Sequence, residues 1–275
     1  MYQYILFDVD GTLSDSREGI TKSVQYALSK LGVEETDPKR LELYVGPPLI
    51  DSFTEIAGLS LEEARQGVIY YREYFSKYGI HQNRMFDGVP QMLEQLKAAG
   101  KVLATATCKA EPYLMETLKM FGLTEYFDYI CGGSLDESCR TKDQVIAKVL
   151  RQMSLSEEEK KKVLMVGDRK HDVEGAAVHG IPCLGLSMGF APEGELQNAG
   201  AIAVVDTLEE VVRFILGQEG CYDIGYCNDG RKGGICDEME QIYADDHVGS
   251  RGSDQQHDDG CRDRGDRDRR QGALI

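Results

Sequence analysis

The sequence predicts an α/β fold, with a doubly wound parallel sheet and an α-helical domain inserted after the first strand. Three observations predict it. Short apolar runs alternate with helical patterns, the runs are continuously apolar as in buried parallel strands, and one long segment near the N-terminus carries helical patterns only. The chain has 275 residues, which suggests one or two domains of roughly 150 residues each and enough length for a sizeable core.

Five apolar runs are the predicted strands. They span residues 4–7, 102–107, 163–166, 183–186 and 202–205. The stretches between them have helical spacing, as in Val89, Leu93 and Leu96, where Pro90 stands near the helix start and Gly100 follows its end. Strand–helix alternation of this kind predicts helices on both faces of a parallel sheet. We assign residues 1–14 and 87–216 to this core.

Residues 15–86 are the predicted inserted helical domain. Residues 17–31 carry an amphipathic stripe, and residues 61–78 form a second helical pattern with an aromatic side. Helix packing is the favoured interpretation of those aromatic residues, with a ligand-binding surface as the alternative.

Charge and composition exclude some classes of function. The net charge of −16 argues against binding to a nucleic acid polymer, because such binding needs Lys and Arg to neutralise phosphates. It still allows a small anion where positive charge is gathered locally. No apolar run approaches ~18 residues, the N-terminus lacks a basic segment, and the cysteines before residue 220 resemble reduced thiols. We therefore expect a cytoplasmic protein without membrane attachment.

Residues 217–275 differ in composition from the rest. They are rich in Arg, Asp and Gly and have little clustered apolar surface. Burial of such a segment cannot offset its ordering entropy. We expect a disordered or non-native C-terminal tail.

The first predicted strand runs directly into Asp8-Val9-Asp10-Gly11-Thr12. Carboxylates two residues apart on an extended segment point the same way, and ligands of open α/β sheets bind at the carboxyl ends of strands. Gly11 allows a sharp turn and a close approach of backbone to a ligand. A polar turn that merely closes the strand is the alternative. A calcium loop is excluded, because its required Gly and Glu fall on Leu13 and Gly19.

Two later strands also end in polar residues. One leads into Thr107-Cys108-Lys109, and the other into Gly167-Asp168, with Asp172 close behind. In a parallel sheet these ends share one edge, so Asp8, Asp10, Thr107 and Asp168 should converge. Clustered carboxylates repel one another, and a divalent cation relieves that repulsion. An oxygen-rich ligand set favours Mg²⁺.

Lys142 opens another helical pattern, between the second and third of these motifs. A solvated surface lysine is the alternative reading for any single Lys. Together, Asp8-Val9-Asp10-Gly11-Thr12-Leu13, Thr107, Lys142 and Gly167-Asp168 with Asp172 resemble, in this order, the haloacid dehalogenase-like (HAD) hydrolase superfamily. The resemblance covers about residues 1–216 and is nearest to phosphoglycolate phosphatase-like and 5′-nucleotidase-like members, which have a Rossmann-like core and a helical cap. Thr105 competes with Thr107 for the second motif, and the tail departs from the family.

The resemblance implies a role for each matching residue. Asp8 would be the nucleophile and Asp10 the general acid and base, and a carbon–halogen hydrolase would typically lack Asp10. Asp8, Asp10 and Asp168 would bind Mg²⁺, with Asp172 as a further ligand or a support. Thr107, Lys142 and Gly11 would bind phosphate, and Lys109 is a possible substrate contact.

We therefore expect a Mg²⁺-dependent phosphatase of small phosphomonoesters, of the 5′-nucleotide or phosphoglycolate type, acting as a monomer or homodimer. A sugar-phosphate mutase and a non-catalytic phosphate-binding or interaction protein are the alternatives. The cap would set specificity, and its candidate contacts are Arg17, Lys22, Arg40 and Tyr44, each of which could instead be an ordinary solvated or packing residue.

Overall fold

The computed structural model describes residues 1–217. Eight strands occur in this part of the chain: β1 Tyr4–Phe7, β2 Ser14–Asp15, β3 Arg84–Met85, β4 Val102–Ala110, β5 Tyr129–Gly133, β6 Val163–Gly167, β7 Cys183–Leu186 and β8 Ala203–Val205. Six of them form one parallel sheet in the order β5-β4-β1-β6-β7-β8. The chain thus builds outward from β1 in both directions, which confirms the doubly wound sheet.

The helices divide into two groups along the chain. Those between β2 and β3 are α1 Arg17–Lys30, α2 Pro38–Glu42, α3 Leu49–Glu55 and α4 Leu61–Phe75. Those that follow β3 are α5 Val89–Ala98, α6 Glu111–Met120, α7 Lys142–Met153, α8 Glu157–Lys160, α9 Lys170–Ala177, α10 Glu195–Ala199 and α11 Leu208–Leu216.

The central strand β1 is apolar throughout because both of its faces are covered. Ile5 and Phe7 belong to one hydrophobic cluster, which also includes residues of α5, α6 and α11. Leu6 belongs to the cluster on the opposite face, with residues of α7 and α9. This alternation follows from the two-residue period of a strand. It positions the residues after β1 at the middle of the sheet's carboxyl edge.

The inserted helices have a hydrophobic cluster of their own, which confirms an inserted helical cap. Val24 of α1, Phe53 of α3 and Val68 of α4 are buried in it. The first helical turn of α4 is stabilised by a capping box between Ser60 and Glu63. The chain enters and leaves the cap through β2 and β3, which pair as a short antiparallel ladder.

Comparison with the sequence predictions shows where the apolar pattern was sufficient. All five predicted strands occur, with end shifts of a few residues at most. Strand β5 was missed because Cys131-Gly132-Gly133 interrupts its apolar run, and β3 was missed because two residues carry no periodicity. The division at residues 15 and 86 stays a prediction, and the predicted tail lies outside the described residues. Within residues 1–217, no helix has both the length and the apolarity needed to cross a membrane.

Candidate active site

Neighbouring strands bring the predicted site residues together. Strands β4, β1 and β6 lie side by side. Asp8 and Asp168 directly follow β1 and β6, and Thr107 lies in the last part of β4, just before its register shifts. Carboxylate oxygens of Asp8, Asp168 and Asp172 lie within 4.8 Å of one another. All three residues are buried. The predicted convergence of these distant segments is therefore present in the fold.

Lys142 lies between two of these carboxylates. Its Nζ is 2.8 Å from Oδ1 of Asp8 and 2.7 Å from Oδ1 of Asp172, and it donates a hydrogen bond of 2.9 Å to the carbonyl of Ala106. The residue is 6% exposed, although it begins α7. The alternative of a solvated surface lysine is therefore wrong. One positive charge is held among three negative ones.

Burial and mutual repulsion perturb this cluster. Burial, followed by the charges of Asp172 and Asp8, raises the pKa of Asp168 well above the usual range of a carboxyl. Burial also raises the pKa of Asp172, to about 6, against the opposing effect of Lys142. Burial alone would lower the pKa of Lys142, but Asp172 and Asp8 raise it well above its usual value. The oxygen-only donors and their uncompensated negative charge suit a hard divalent cation.

Close packing around Asp168 requires glycine at two nearby positions. A Cβ on Gly11, whose φ is +89°, would lie 2.1 Å from Oδ2 of Asp168, and a Cβ on Gly189 would lie 2.3 Å from its Cβ. Asp168 also accepts hydrogen bonds from the hydroxyl of Thr12 and the backbone N–H of Phe190, at 3.2 and 2.8 Å. Gly11 thus makes room for a carboxylate. Its own N–H donates to the carbonyl of Ser14, and its phosphate contact stays a prediction.

The two threonines of β4 have different surroundings. The hydroxyl of Thr105 donates to the carbonyl of Cys131 and accepts from its N–H, so its hydrogen-bonding capacity is used inside the sheet. The hydroxyl of Thr107 accepts only a 3.3 Å bond from the N–H of Lys109, and Thr107 lines a cavity at the end of the strand. This environment favours Thr107 over Thr105 as the hydroxyl that meets a ligand.

Asp10 is paired with Lys109. The Lys109 Nζ lies 2.9 Å from Oδ1 of Asp10 and 5.0 Å from the ring centre of Phe75. Phe75 belongs to α4 of the cap, so this lysine connects the second predicted catalytic carboxylate to the cap. We expect such a contact to change when a ligand enters.

A cavity of about 110 Å³ separates the cap from the carboxylate cluster. Asp8, Asp10, Thr107 and Lys142 form its floor, and its other lining residues include Tyr44, Gly46, Pro47, Pro48, Tyr71, Arg72, Phe75, Cys108, Lys109, Tyr113, Glu137 and Arg140. Burial raises the pKa of Cys108 to about 12, which makes this thiol a poor nucleophile. This leaves the carboxylates as the candidate nucleophiles among the groups that line the cavity.

Arginines connect the cap to the core at the rim of this cavity. Arg72 of α4 pairs with Glu137 and donates to the carbonyl of Leu135, and Arg140 pairs with Asp51 of α3. Each partner is 21–34% exposed in its side chain. The cap and the core thus each contribute one arginine, which pairs with a carboxylate of the other.

The sequence was less informative about the cap. Among the four candidate cap residues only Tyr44 lines the cavity. Arg17 lies over the ring of Phe190, Lys22 pairs with Glu18, and Arg40 pairs with Glu35.

The aromatic side of α4 contains cavity-lining residues that the sequence analysis assigned to helix packing. Tyr71 and Phe75 are buried in the cap cluster, as the packing interpretation predicts, and they also line the cavity. Arg140 and Glu137 lie in an irregular loop and had no pattern that could identify them.

Known proteins resemble this chain in sequence and in fold. The profile of the family described as haloacid dehalogenase-like hydrolase matches residues 5–186. A 5′-nucleotidase from Pseudomonas aeruginosa is 42% identical over 196 residues, which are 71% of this chain and 87% of that protein. Tyrosine-protein kinase PtkA from Mycobacterium tuberculosis is 39% identical over 215 residues, which are 76% of this chain and 72% of that protein. The crystal structure of a predicted phosphatase from Clostridium acetobutylicum has a TM-score of 0.76 at 40% identity, and the match covers 79% of this chain and 99% of that chain.

Proposed function

The chain belongs to the haloacid dehalogenase-like hydrolases, and on that premise we propose that it is a Mg²⁺-dependent phosphatase of small phosphomonoesters. One observation carries the proposal. Asp8 shares a buried cluster with Asp168 and Asp172, Lys142 is hydrogen-bonded within it, and the cluster meets a cavity that the cap partly covers. These are the groups that an attack on a phosphate ester needs: a nucleophile, positive charge and exclusion of water.

The proposed chemistry uses Asp8 and Asp10 in sequence. A carboxylate oxygen of Asp8 attacks phosphorus and forms an aspartyl-phosphate, while the P–O bond to the alcohol breaks and Asp10 gives its proton to the leaving oxygen. Water then attacks the acyl phosphate, with Asp10 as the base, and inorganic phosphate leaves. Dividing one difficult displacement into two easier steps is the advantage of a covalent intermediate.

Positive charge must supply most of the acceleration. Uncatalysed phosphomonoester hydrolysis demands up to ~10²¹-fold acceleration, whereas acid–base catalysis contributes only ~10²–10⁴-fold. Lys142 and the Thr107 hydroxyl would bind the phosphate oxygens, with Lys109 a possible further contact. The carboxylates of Asp8 and Asp168 and the backbone carbonyl of Asp10 would hold Mg²⁺, and Asp172 would complete or support the set. A bound Mg²⁺ would neutralise charge on the transferring phosphoryl group.

Two substrate types fit the proposal, and their sizes differ. The cavity of about 110 Å³ is small beside the ~300–1,000 Å³ of pockets for drug-sized ligands. A two- or three-carbon phosphorylated acid such as 2-phosphoglycolate would need little cap movement. A nucleoside 5′-monophosphate, suggested by the name of the Pseudomonas relative, would need the cap to open further.

Phosphate release from a panel of phosphomonoesters tests the proposal. The panel would include 2-phosphoglycolate, the nucleoside 5′-monophosphates and p-nitrophenyl phosphate, each with and without Mg²⁺. We expect Mg²⁺-dependent release that Asp8→Asn abolishes. The matched control is Asp87→Asn, which removes an exposed carboxyl beyond the cavity and should keep full activity. Equal release by Asp8→Asn would refute the assignment of the nucleophile.

Other phosphoryl acceptors are separated by their products. With glucose 1-phosphate, a mutase would give glucose 6-phosphate and a phosphatase would give free glucose. The similarity to a protein named tyrosine kinase calls for a third assay, in which γ-labelled ATP is offered with a tyrosine peptide. Label on the peptide would contradict the phosphatase, whereas a peptide that stays unlabelled is the result expected for a phosphomonoesterase. Binding of phosphate without turnover in any assay would favour the non-catalytic alternative.

We also propose a cytoplasmic location and a monomer or homodimer. The active-site residues named above all come from one chain, so the proposed reaction does not require a second copy.

A further inference from the structure

Arg169 connects the carboxylate cluster to the cap. It follows Asp168 directly and precedes α9, and its backbone N–H donates a 3.0 Å hydrogen bond to Oδ2 of Asp172. Its side chain is nevertheless buried, with the residue only 8% exposed. Its backbone is therefore hydrogen-bonded to the carboxylate cluster. Because the side chain is buried, its charged guanidinium needs partners within the protein.

The guanidinium has partners on both sides. Its Nε and Nη2 donate to the two carboxylate oxygens of Glu195 at 2.8 and 3.3 Å, a bidentate pair within the core. Its Nη1 donates to the backbone carbonyl of Val45, which belongs to the cap. Charge-assisted bonds of this kind are stronger than neutral ones, and burial protects them from screening.

The cap segment that Arg169 contacts also forms a wall of the cavity. Tyr44 and Val45 are 2% and 1% exposed and belong to the cap's hydrophobic cluster, so the segment moves with the cap. Tyr44, Gly46, Pro47 and Pro48 line the cavity.

Gly46 fits closely against the arginine. Its φ is +108°, and a Cβ there would lie 3.0 Å from Nη1 and 3.1 Å from Cγ of Arg169. The two surfaces therefore match where the segment passes the guanidinium.

We propose that Arg169 is a positioning residue that holds the cap closed over the active site. Glu195 fixes the direction of the guanidinium, and Nη1 holds the Val45–Gly46 backbone, so the closed cap and the carboxylate cluster are joined through one residue. Arg72 and Arg140 also bridge the two bodies, but with more exposed and hence weaker pairs. A purely local role in the α9 entry loop would be complete with Glu195 and would not require a cap carbonyl.

The effect on catalysis rests on the proposed phosphatase function, whereas the effect on cap closure does not. We therefore pair two measurements on Arg169→Met, which keeps an unbranched apolar stem and removes the donors. The first is kcat and KM with the best phosphomonoester of the panel. The second is the rate at which methyl methanethiosulfonate labels individual cysteines, read by peptide mass spectrometry.

Two cysteines serve as reporters within the same molecule. Cys108 lines the cavity beneath the cap, and Cys131, on strand β5 of the sheet, is 0% exposed. In Arg169→Met we expect labelling of Cys108 to be about tenfold faster and that of Cys131 to be unchanged. We expect kcat/KM to fall about 10–100-fold, because a misplaced cap wall loosens the alignment of substrate.

Lys170→Met is the matched control, because it removes an exposed neighbouring cation and should change neither measurement. Glu195→Gln should act in the same direction as Arg169→Met but less strongly, and it keeps the test decisive if Arg169→Met folds poorly. Unchanged Cys108 labelling in Glu195→Gln and in a folded Arg169→Met would overturn the proposal. Faster labelling of Cys131 together with Cys108 would also overturn it, since it would indicate general destabilisation. Absence of phosphatase activity in the unmodified protein would contradict the proposed function alone and leave the labelling test of closure valid.

Discussion

The floor and the cap wall of the cavity are built in different ways. The floor, formed by Asp8, Asp10, Thr107 and Lys142, comes from the ends of adjacent strands and the start of α7. The cap wall, formed by Tyr44, Tyr71, Arg72 and Phe75, comes from a loop and one face of α4. A rigid sheet fixes the floor, whereas the wall depends on how two bodies meet. If the proposed function holds, the reacting groups lie on the rigid sheet, and the residues that select a substrate lie at the contact between cap and core.

The ion pairs of the two regions differ in the same sense. In the floor and the carboxylate cluster behind it, the side chains of Lys142, Asp8 and Asp172 are 5%, 11% and 1% exposed. The pairs at the cap, between Arg72 and Glu137 and between Arg140 and Asp51, are 21–34% exposed. Breaking a buried pair costs about 3–5 kcal/mol, whereas exposed pairs contribute about 0.2–1 kcal/mol. The comparison predicts large effects at the floor and small ones at the wall.

The largest effect is expected for Lys142→Met. It leaves the carboxylates of Asp8 and Asp172 without their buried cation and removes a proposed phosphate ligand. We expect kcat/KM to fall by about 10³-fold and the metal-free protein to lose about 3 kcal/mol, or ~6–12 °C in Tm. Phosphate-release kinetics and thermal denaturation measure these losses.

Lys148→Met is the control for that substitution. Lys148 lies on the same helix and pairs with Glu111 at 2.6 Å, but its side chain is 26% exposed. It should change Tm by no more than about 4 °C and leave kcat/KM within a factor of two. Similar losses in both variants would show that helix α7, and not the floor, is the sensitive element.

The contrast also explains what could be predicted from the sequence. The floor was predictable because strand ends are marked by apolar runs, and a parallel sheet places Asp8, Thr107 and Asp168 on one edge without further information. The cap wall was not predictable, because no local sequence pattern indicates which face of α4 meets the core. Phe75 had the same apolar signature as a packing residue, and it is one as well. Arg72 and Arg140 could be recognised only from the relative position of cap and core.

Two threonines of β4 give a sharper test within the floor. Thr107→Val removes a hydroxyl from the cavity. A hydrogen bond to a charged group contributes about 1.5–3 kcal/mol, so we expect kcat/KM to fall 10–100-fold. Thr105→Val instead removes both bonds to Cys131, so it should cost about 1–3 kcal/mol of stability with kcat/KM within threefold. If Thr105→Val impairs catalysis more than Thr107→Val does, the assignment of the phosphate ligand is wrong.

Metal binding should depend on pH in a direction set by the floor carboxylates. The folded pKa of Asp172 is about 6, above its usual 3.8, mainly because of burial. Such a group favours the folded state fully below pH 3.8, and this contribution is lost as pH rises through about 6. Mg²⁺ relieves the resulting repulsion at pH 7.5, whereas at pH 5 it must displace a proton.

We therefore expect Mg²⁺ to raise Tm more at pH 7.5 than at pH 5. In free energy of unfolding the gain from Mg²⁺ should be about 1–2 kcal/mol larger at pH 7.5, because the apparent affinity for Mg²⁺ is roughly tenfold weaker at pH 5. Differential scanning calorimetry at saturating Mg²⁺ measures it. Asp168→Asn should remove most of the Mg²⁺-dependent rise in Tm at both pH values. An equal or larger gain at pH 5 would contradict the assigned direction.

The smallest effect is expected at the cap wall, for Arg72→Met and Arg140→Met. Each loses a partly exposed pair worth about 0.2–1 kcal/mol, so the closed cap should be disfavoured by a factor of about 1.4–5. We expect KM to rise by that factor while kcat stays within twofold, because the floor is intact. Salt should raise KM of the unmodified protein and leave that of the double variant nearly unchanged, since the screened pairs are then absent. A fall in kcat larger than the rise in KM would place these arginines with the floor and remove the distinction between the two regions.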